Sequence, residues 1–156
     1  MPRPDPAPSL RIEPAVKADI PALCELLDHL FAQEAEFSPD RENQERGLTM
    51  ILDHPASGTI LVARKGEAVL GMVNLLYTVS TALGKRVALL EDMVVMPRER
   101  SSGLGRKLLE AAIAHCRRQG CGRITLLTDH DNLGAQRFYQ RQGFVHSDMI
   151  PLRLVL

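Results

Sequence analysis

Hydrophobic positions recur with two different spacings along the chain, and the spacing changes where helices and strands are expected to meet. Ile20, Leu23, Leu26, Leu27 and Leu30 recur every three or four residues, which is typical of a helix with one buried face. Apolar runs bounded by glycine, proline and charged residues are typical of strands. The pattern predicts strands at 10–13, 59–64, 68–79, 90–96 and 124–128, one or two final strands within 144–155, and helices at 19–34, 41–52, 104–119 and 133–142.

The order of these elements predicts one α/β (α+β) domain. Strands precede the longest helix, and a strand, a helix and further strands follow it, so we expect a mixed sheet with helices on both faces. Asp19 is expected to cap the first helix. Proline stands at every second position from Pro2 to Pro8, which is typical of a polyproline-like tail. We therefore expect a flexible tail at 1–9 and a single domain at 10–156.

Composition and charge exclude several classes of function. The chain has 156 residues, and its 19 Lys and Arg balance its 19 Asp and Glu, which argues against a general nucleic-acid binder. Neither a membrane-spanning apolar run nor a signal peptide is visible. Cys24, Cys116 and Cys121 show no metal-ligand spacing and read as free thiols. We expect a cytoplasmic protein that binds no nucleic acid, membrane or metal ion.

One stretch of the chain has the features of a phosphate site. Between a strand that ends before Pro97 and the longest helix lie Arg100, Ser101, Ser102, Gly103, Leu104 and Gly105. Glycine lets the backbone approach a ligand closely, and a helix N-terminus offers unpaired N–H groups and partial positive charge. Arg106 and Lys107 add full charges, so a pyrophosphate is the expected ligand. P-loop and dinucleotide signatures do not match, and an ordinary tight turn is the alternative.

Two segments together resemble a known family. Arg100-x-x-Gly103-x-Gly105, after a strand ending in Val-x-Pro, resembles motif A of the GNAT superfamily of acetyl-CoA-dependent N-acetyltransferases. Downstream, Asn132-x-x-Ala-x-x-Phe-Tyr-x-x-x-Gly-Phe144 resembles motif B, in the expected order. The resemblance spans residues 10–154. It implies the GNAT fold with a mixed, mostly antiparallel central sheet of six to seven strands, acetyl-CoA as cosubstrate, no metal ion, and a homodimer.

The resemblance also assigns residues to the cosubstrate. In the superfamily the strand before the loop bulges, and its backbone near Met93, Val94 and Val95 pairs with the pantetheine arm. One of these N–H groups, taken here as that of Val94, would polarise the thioester carbonyl. Asn132 either donates to the pantetheine or caps the helix that follows it. The diphosphate is assigned to the loop and the start of the helix, which comprise Arg100, Ser101, Ser102, Gly103, Leu104, Gly105 and Arg106.

Acetyl transfer to an amine needs a base for the amine and can use an acid for the leaving thiolate, and the sequence offers a candidate for each. Glu91 lies just before the loop among apolar neighbours, which favour an uncharged carboxyl, and is the candidate base, directly or through a water. A carboxylate with a purely structural partner is the alternative. Tyr139 is the candidate acid, because a phenol can protonate a thiolate. An aromatic that only packs beside Phe138 and Phe144 is the alternative.

A closer likeness bears on the acceptor. Leu90-Glu91-Asp92-x-x-Val95-Met96 is similar to spermidine/spermine N-acetyltransferases, which implies that Asp92 faces the acceptor and that Glu34 or Glu36 lies in an acidic substrate region. Strand alternation puts Glu91 and Asp92 on opposite faces unless the strand bulges. We expect a small cationic primary amine, acetylated by direct attack in a ternary complex. A protein N-terminus or lysine, and a non-catalytic acyl-CoA sensor, are the alternatives. Residues 129–131 are expected to form a solvated turn.

Overall fold

A five-stranded sheet forms the centre of the computed structural model, which describes residues 1–34 and 37–156. The strands lie side by side in chain order: β1 Leu10–Pro14, β2 Gly58–Lys65, β3 Ala68–Ser80, β4 Lys85–Val95 and β5 Ile124–Leu126. The first four strands pair antiparallel, and β5 runs parallel to β4. The predicted mixed, mostly antiparallel sheet is therefore confirmed.

Helices cover both faces of this sheet, as the order of elements predicted. Their bounds are α1 Ile20–Phe31, α2 Arg41–Leu52, α3 Leu104–Arg118 and α4 Leu133–Arg141. On one face, the apolar stripe of α1 packs with Leu48 of α2 against Val62 and Met72 of the sheet. On the other face, Leu108 and Leu109 of α3 pack against Val73 of β3. No described helix is long and apolar enough to cross a membrane.

Close packing of α3 on the sheet depends on a glycine in β3. A Cβ atom at Gly71 would lie 3.0 Å from Val95 Cγ1, 3.2 Å from the Val94 carbonyl oxygen and 3.3 Å from Leu108 Cδ2. These distances are shorter than an ordinary van der Waals contact, so a larger residue would separate the helix from the strands. Gly71 therefore fixes the position of α3, and with it the loop that precedes α3.

One residue of β4 interrupts its ladder with β3. Asn74 pairs with Asp92 and Leu75 pairs with Leu90, so Glu91 has no partner in β3. Such a bulge shifts the alternation of faces by one residue. Leu90 and Met93 accordingly both contact the core beneath α3, although three positions separate them. The bulge that the resemblance implied is confirmed, and it removes the geometric objection to a shared role for Glu91 and Asp92.

The strands β4 and β5 separate after a short pairing. They pair only from Ala88 with Ile124 to Leu90 with Leu126. Beyond Leu90, β4 continues to Val95 against β3 alone. The side of β4 that turns away from β3 over residues 91–95 thus has no strand partner in the described part of the chain. We call it the open edge of β4, and it leads directly into the loop before α3.

Asp19 holds the sheet to the start of α1 in a way that the sequence did not indicate. Its side chain makes no capping bond to α1. Instead its carboxylate accepts bonds of 2.9 Å from both terminal nitrogens of Arg64, whose Nε donates to Glu13. The hydrogen bonds from Arg64 lower the pKa of Asp19. The predicted capping role is therefore wrong, because a partner distant in sequence competes for the same oxygens.

The number of strands differs from the prediction of six to seven. Residues 144–156 form no strand, although one or two were expected there. A strand is stable only beside a neighbour that satisfies its backbone N–H and C=O groups. The outer side of β5 pairs with no described strand. The sheet therefore ends at β5 in the isolated chain, and its C-terminal segment remains exposed.

Candidate active site

The loop between β4 and α3 is shaped by two residues in the left-handed conformation. Ser101 has φ 67° and Gly103 has φ 84°. The Ser102 hydroxyl donates to the Glu99 carbonyl, and it lies 3.4 Å from the Leu104 amide. The first intrahelical bond of α3 runs from Lys107 N to Gly103 O, so the preceding amides have no acceptor inside the helix. These amides point out of the helix N-terminus.

Positive charge surrounds the same amides. Arg100, Arg106 and Lys107 are exposed at the start of α3. Arg106 pairs with Glu110 at 2.8 Å, one turn along the helix. Arg100 and Lys107 make no ion pair with any residue that the structure describes. A helix dipole and unpaired cations at one point favour an anion with several oxygens.

The backbone of β4 presents alternate amides to the open edge. Met96 N donates to Leu70 O on β3 at 2.8 Å. Amides of an antiparallel strand point alternately to one side and the other, so that of Val94 also points at β3. The amides of Met93 and Val95 therefore point away from β3, at the open edge. The ladder with β3 therefore favours Met93 or Val95 over Val94 as the N–H that would polarise the carbonyl, and this assignment stays a prediction.

Two carboxyl groups near the open edge have raised pKa values, and the charges of two more contribute to these shifts. Glu34 has a raised pKa, first through burial and then through the charges of Asp92, Asp129 and Glu91. Burial is also the largest cause that raises the pKa of Asp92 to about 6, and Glu91 raises it further. We call these four residues the acid cluster. Two of its predicted members, Glu34 and Asp92, are thus brought together, and Glu36 lies outside the described residues.

The burial of Glu91 and Asp92 differs from what the sequence suggested for Glu91. Glu91 was expected among apolar neighbours, but the bulge turns its side chain to solvent. Asp92 is the partly buried member of the pair. Its Oδ2 accepts a bond of 3.1 Å from Asn74 Nδ2. The buried carboxyl, whose pKa is raised, is therefore the one that was assigned to substrate binding.

Asn74 was overlooked in the sequence, although it is the polar residue in the apolar run of β3. Its side chain is 3% exposed, and its Oδ1 has no hydrogen-bond donor among the described residues. A buried acceptor without a donor is unfavourable by about 1–3 kcal/mol. The amide nitrogen of the same group already bonds Asp92. An acceptor atom is therefore available directly behind the acid cluster.

Asp129 also lay outside the predicted site, since residues 129–131 were expected to form a solvated turn. His130 and Asp131 are exposed as expected, whereas Asp129 is half-buried and raises the pKa of Glu34. Its position soon after β5, at the end of the sheet where β4 opens, was the available signal. No group of three or more His, Cys, Asp or Glu among the described residues could hold a metal ion.

Tyr139 sits in an aromatic group on α4. Its ring makes edge contacts with Phe138 and Phe144 at 5.2 and 5.6 Å between centroids. Burial raises the pKa of its hydroxyl to about 12. Phe138 in turn lies over Gly105, where a Cβ would be 3.6 Å from the ring. Tyr139 therefore packs beside Phe138 and Phe144, as its alternative role required. Through Phe138 this packing reaches Gly105 at the start of α3.

Asn132 caps α4, as one of its two alternatives predicted. Its Oδ1 accepts from the Ala135 amide at 3.1 Å. The cap uses only the oxygen of the side chain, and Asn132 is exposed. Its Nδ2 group therefore remains free to donate to a bound molecule, so capping and ligand binding are compatible.

A sheet that opens beside a cationic loop at a helix N-terminus can hold an extended ligand that carries phosphate groups. The family model described as "Acetyltransferase (GNAT) family" matches residues 20–144, which include the loop, the open edge and α4. The chain belongs to this family of acetyltransferases. The family uses acetyl-CoA, whose diphosphate fits the amides and unpaired cations of the loop. The closer likeness to spermidine/spermine acetyltransferases stays a prediction.

Relatives and solved structures agree with the family. An uncharacterised N-acetyltransferase, YhfO, of Bacillus subtilis is 33% identical over 118 residues, covering 74% of this chain and 78% of that one. An aminoalkylphosphonate N-acetyltransferase of Salmonella typhimurium is 27% identical over 93% of this chain and 91% of its own. The structure of an aminoglycoside N-acetyltransferase, AAC(6')-Iy, in complex with CoA superposes with a TM-score of 0.79 at 16% identity, covering 97% of each chain, and shows the shared fold.

Proposed function

We propose that this acetyltransferase moves an acetyl group from acetyl-CoA to a small cationic primary amine by direct attack in a ternary complex. The observation that carries the proposal is the acid cluster beside the open edge of β4, with the raised pKa values of Asp92 and Glu34. Like charges held this close are stabilised by a cation that lies among them. A substrate with more than one ammonium group matches several carboxylates better than a single charge does.

The loop and the open edge are proposed to hold the cosubstrate. Arg100, Lys107 and the first amides of α3 would bind the diphosphate, and the outward amides of Met93 and Val95 would bond the pantetheine arm. One of those two amides would stabilise the negative charge that develops on the carbonyl oxygen. Bound acetyl-CoA supplies the acetyl group as an activated thioester. Asn132 Nδ2 is proposed as a further donor to the same arm.

Glu91 is proposed as the base. It is the exposed residue at the bulge, so its carboxylate can take the proton from an incoming ammonium group, directly or through a water. Asp92 and Glu34 would hold the cation, and Asn74 Oδ1 would accept an N–H from the amine or from a water that bridges to it. The donor and acceptor are then held together before the reaction, which removes much of its entropic barrier.

Tyr139 is proposed as the acid. Its raised pKa keeps the proton on the hydroxyl at neutral pH. Such a weak acid releases its proton only to a strong base. A thiolate that forms in a buried site becomes a stronger base than it is in water, because burial disfavours its charge. The Tyr139 hydroxyl would then donate to the departing sulfur.

The test is thiol release from acetyl-CoA with amines of matched length that carry a second ammonium, no second charge or a phosphonate. The proposal expects the highest kcat/KM with the second ammonium, and Asp92→Asn to lower that preference about tenfold. Glu91→Gln should flatten the rise of rate with pH, while Glu67→Gln, in the turn between β2 and β3, should not. Preference for the phosphonate would instead support an acceptor like that named for the Salmonella relative.

Two other outcomes correspond to the alternatives. Release only with peptides would favour a protein acceptor. Tight CoA binding without release for any amine or peptide would favour a sensor, and it would contradict the assigned roles of Glu91 and Tyr139.

A further inference from the structure

Two of the three cysteines meet at the C-terminal end of α3, although their spacing in the sequence indicated only free thiols. The helix ends in the run Cys116-Arg-Arg-Gln-Gly-Cys121. Gly120 has φ 75°, the left-handed conformation with which many helices end. The Cys121 amide donates to the Cys116 carbonyl at 2.9 Å, and the Gly120 amide donates to the Arg117 carbonyl at 3.1 Å. These two bonds define a Schellman motif.

The Schellman motif brings the two cysteine side chains together. The chain folds back over the last turn of the helix, so the residue after the glycine contacts the residue whose carbonyl it bonds. Cys116 is 1% exposed in the core beneath α3, and Cys121 is half-buried against the same core. The pKa of the Cys116 thiol is raised to about 12, first by burial and then by the charge and hydrogen bond of Cys121. The two thiols are therefore neighbours, and Cys121 is the one that solvent reaches.

The third cysteine lies away from this pair. Cys24 is 0% exposed and belongs to the core beneath α1, on the opposite face of the sheet from Cys116. The sheet separates the two residues, so Cys24 cannot form a bond with Cys116 in the folded chain. It therefore provides an internal reference for a buried thiol without a neighbouring cysteine.

We propose that Cys121 and Cys116 form a reversible modification site, in which hydrogen peroxide oxidises Cys121 and Cys116 then closes a disulfide within the chain. First, the Cys121 sulfur attacks a peroxide oxygen, the O–O bond breaks, and a sulfenic acid and water form. Next, the Cys116 sulfur attacks the Cys121 sulfur, the S–O bond breaks, and hydroxide leaves with the Cys116 proton as water. Two thiols are oxidised to one disulfide, and the peroxide is reduced to two molecules of water. A small thiol reverses the reaction by disulfide exchange.

The different burial of the two thiols sets the order of these steps. Its high pKa keeps Cys116 protonated, so peroxide reacts at Cys121. A sulfenic acid at Cys121 is uncharged, which removes one of the causes that oppose ionisation of Cys116. The motif also holds the two sulfur atoms together, and this proximity offsets the low reactivity of a buried thiol. The negative end of the α3 dipole disfavours both thiolates, so we expect a slow response to sustained exposure.

The disulfide would join the end of α3 to the chain that enters β5. Gly122, which follows Cys121, donates from its amide to the Arg86 carbonyl of β4 at 2.8 Å. A cross-link restricts the unfolded chain, so the oxidised protein should unfold at a higher temperature. The loop assigned to acetyl-CoA lies at the other end of α3. The thiol pair is thus distinct from the candidate active site.

The first test is a count of free thiols in the full-length protein after treatment with hydrogen peroxide. Alkylation in denaturant should find three thiols before treatment and only Cys24 afterwards, with an intact mass lower by two hydrogen atoms. Peptide mapping should place the bridge between Cys116 and Cys121, and dithiothreitol should restore all three thiols. Persistence of all three thiols, a bridge between two chains, or sulfinic acid at Cys121 beside a reduced Cys116 would overturn the proposal.

The second test compares Cys116→Ser with the matched control Cys24→Ser, which removes a buried thiol from the other face of the sheet. Peroxide should close the disulfide in Cys24→Ser as in the parent, and it should raise the unfolding temperature of both by several degrees. Cys116→Ser should show no such rise and should accumulate a sulfenic acid that dimedone labels. Equal dimedone labelling of Cys116→Ser and the parent would contradict the role given to Cys116.

The third test changes the motif and leaves every cysteine in place. Gly120→Ala strains a residue at φ 75°, and Gly84→Ala strains one at φ 65° in the turn between β3 and β4. A Cβ at either position meets nothing within 4 Å, so the two variants are matched. Closure of the disulfide should slow several-fold in Gly120→Ala and stay at the parent rate in Gly84→Ala. Equal rates in the two variants would refute the positioning of the thiols by the motif. None of these readouts depends on acetyl transfer.

Discussion

At the residue scale, burial disfavours the charged form of two side chains. Asp92 and Tyr139 both have raised pKa values for this reason, to about 6 and about 12. They lie on different elements, β4 and α4. At pH 7 Asp92 is therefore largely charged and can bind a cation, while the Tyr139 hydroxyl keeps its proton until a strong base forms beside it. This difference is the physical basis for giving them different roles.

Asp92 should make the folded protein less stable as the pH rises. Between about pH 4 and about pH 6 the folded state retains the proton and the unfolded chain has released it, so the free energy of unfolding falls with pH in this window. Asp92→Asn removes the effect and should raise stability at pH 7 by up to about 3 kcal/mol. Denaturant unfolding at pH 4 and pH 7 measures it. An equal pH dependence in parent and variant would contradict the raised pKa.

Tyr139→Phe should lower turnover by about a hundredfold and leave CoA affinity nearly unchanged, because it removes only the hydroxyl. Steady-state kinetics and a CoA titration separate the two quantities. Tyr77→Phe is the matched control. Its hydroxyl bonds Thr59 and His115 at 2.7 Å, so its loss should affect stability instead. Unchanged turnover in Tyr139→Phe would leave Tyr139 with a packing role alone.

At the element scale, the two ends of the proposed cosubstrate site are set by how helices begin and how they pack. The helix α3 begins at a loop with two left-handed residues and rests on Gly71. The helix α4 begins at the Asn132 cap and contacts the first turn of α3 through Phe138. Small changes at these contacts should therefore move whole elements.

Two substitutions of Asn132 can separate its capping of α4 from its proposed contact with CoA. Asn132→Asp keeps the capping oxygen and removes the Nδ2 donor, so stability should hold while CoA affinity falls several-fold. Asn132→Ala loses both and should also destabilise by about 1 kcal/mol. Thermal unfolding and CoA titration of the two variants distinguish them. Equal CoA affinity for Asn132→Asp and the parent would restrict Asn132 to capping.

Gly71→Ala should destabilise the protein by roughly 1–3 kcal/mol, because the added methyl group meets β4 and α3 at once. It should also weaken CoA binding, since α3 carries the loop. Gly47→Ala is the control, because nothing lies within 4 Å of a Cβ there. Denaturant unfolding checks the stability. A stable Gly71→Ala protein with normal CoA affinity would show that α3 adjusts freely.

At the scale of the whole molecule, the sequence was informative where the signal is local. The spacing of leucines predicted α1 and α3, and the run from Arg100 to Gly105 predicted the loop. A prediction was wrong where a residue distant in sequence determines the contact. Asp19, for example, bonds Arg64 instead of a helix end.

The remaining differences also have physical causes. The C-terminal strand was predicted from its own alternation, but a strand forms only where an edge receives it. Asn74 was passed over because the apolar residues around it dominate the pattern of β3, whereas its importance comes from contact with Asp92 on another strand. Candidate site residues that lie within one sequence motif, such as those from Arg100 to Gly105, were predicted. Asn74 was not, because its importance depends on a contact between two strands.

The extra residue in β4, Glu91, has a role in the proposed chemistry but none in the pairing of the sheet. Excising Glu91 would leave Leu90, Asp92 and Met93 in plain alternation, with each side chain already facing the correct way. The pairing of the sheet therefore does not require this glutamate. A shortened chain of this kind should fold at least as firmly as its parent, yet lack the group proposed to deprotonate the amine.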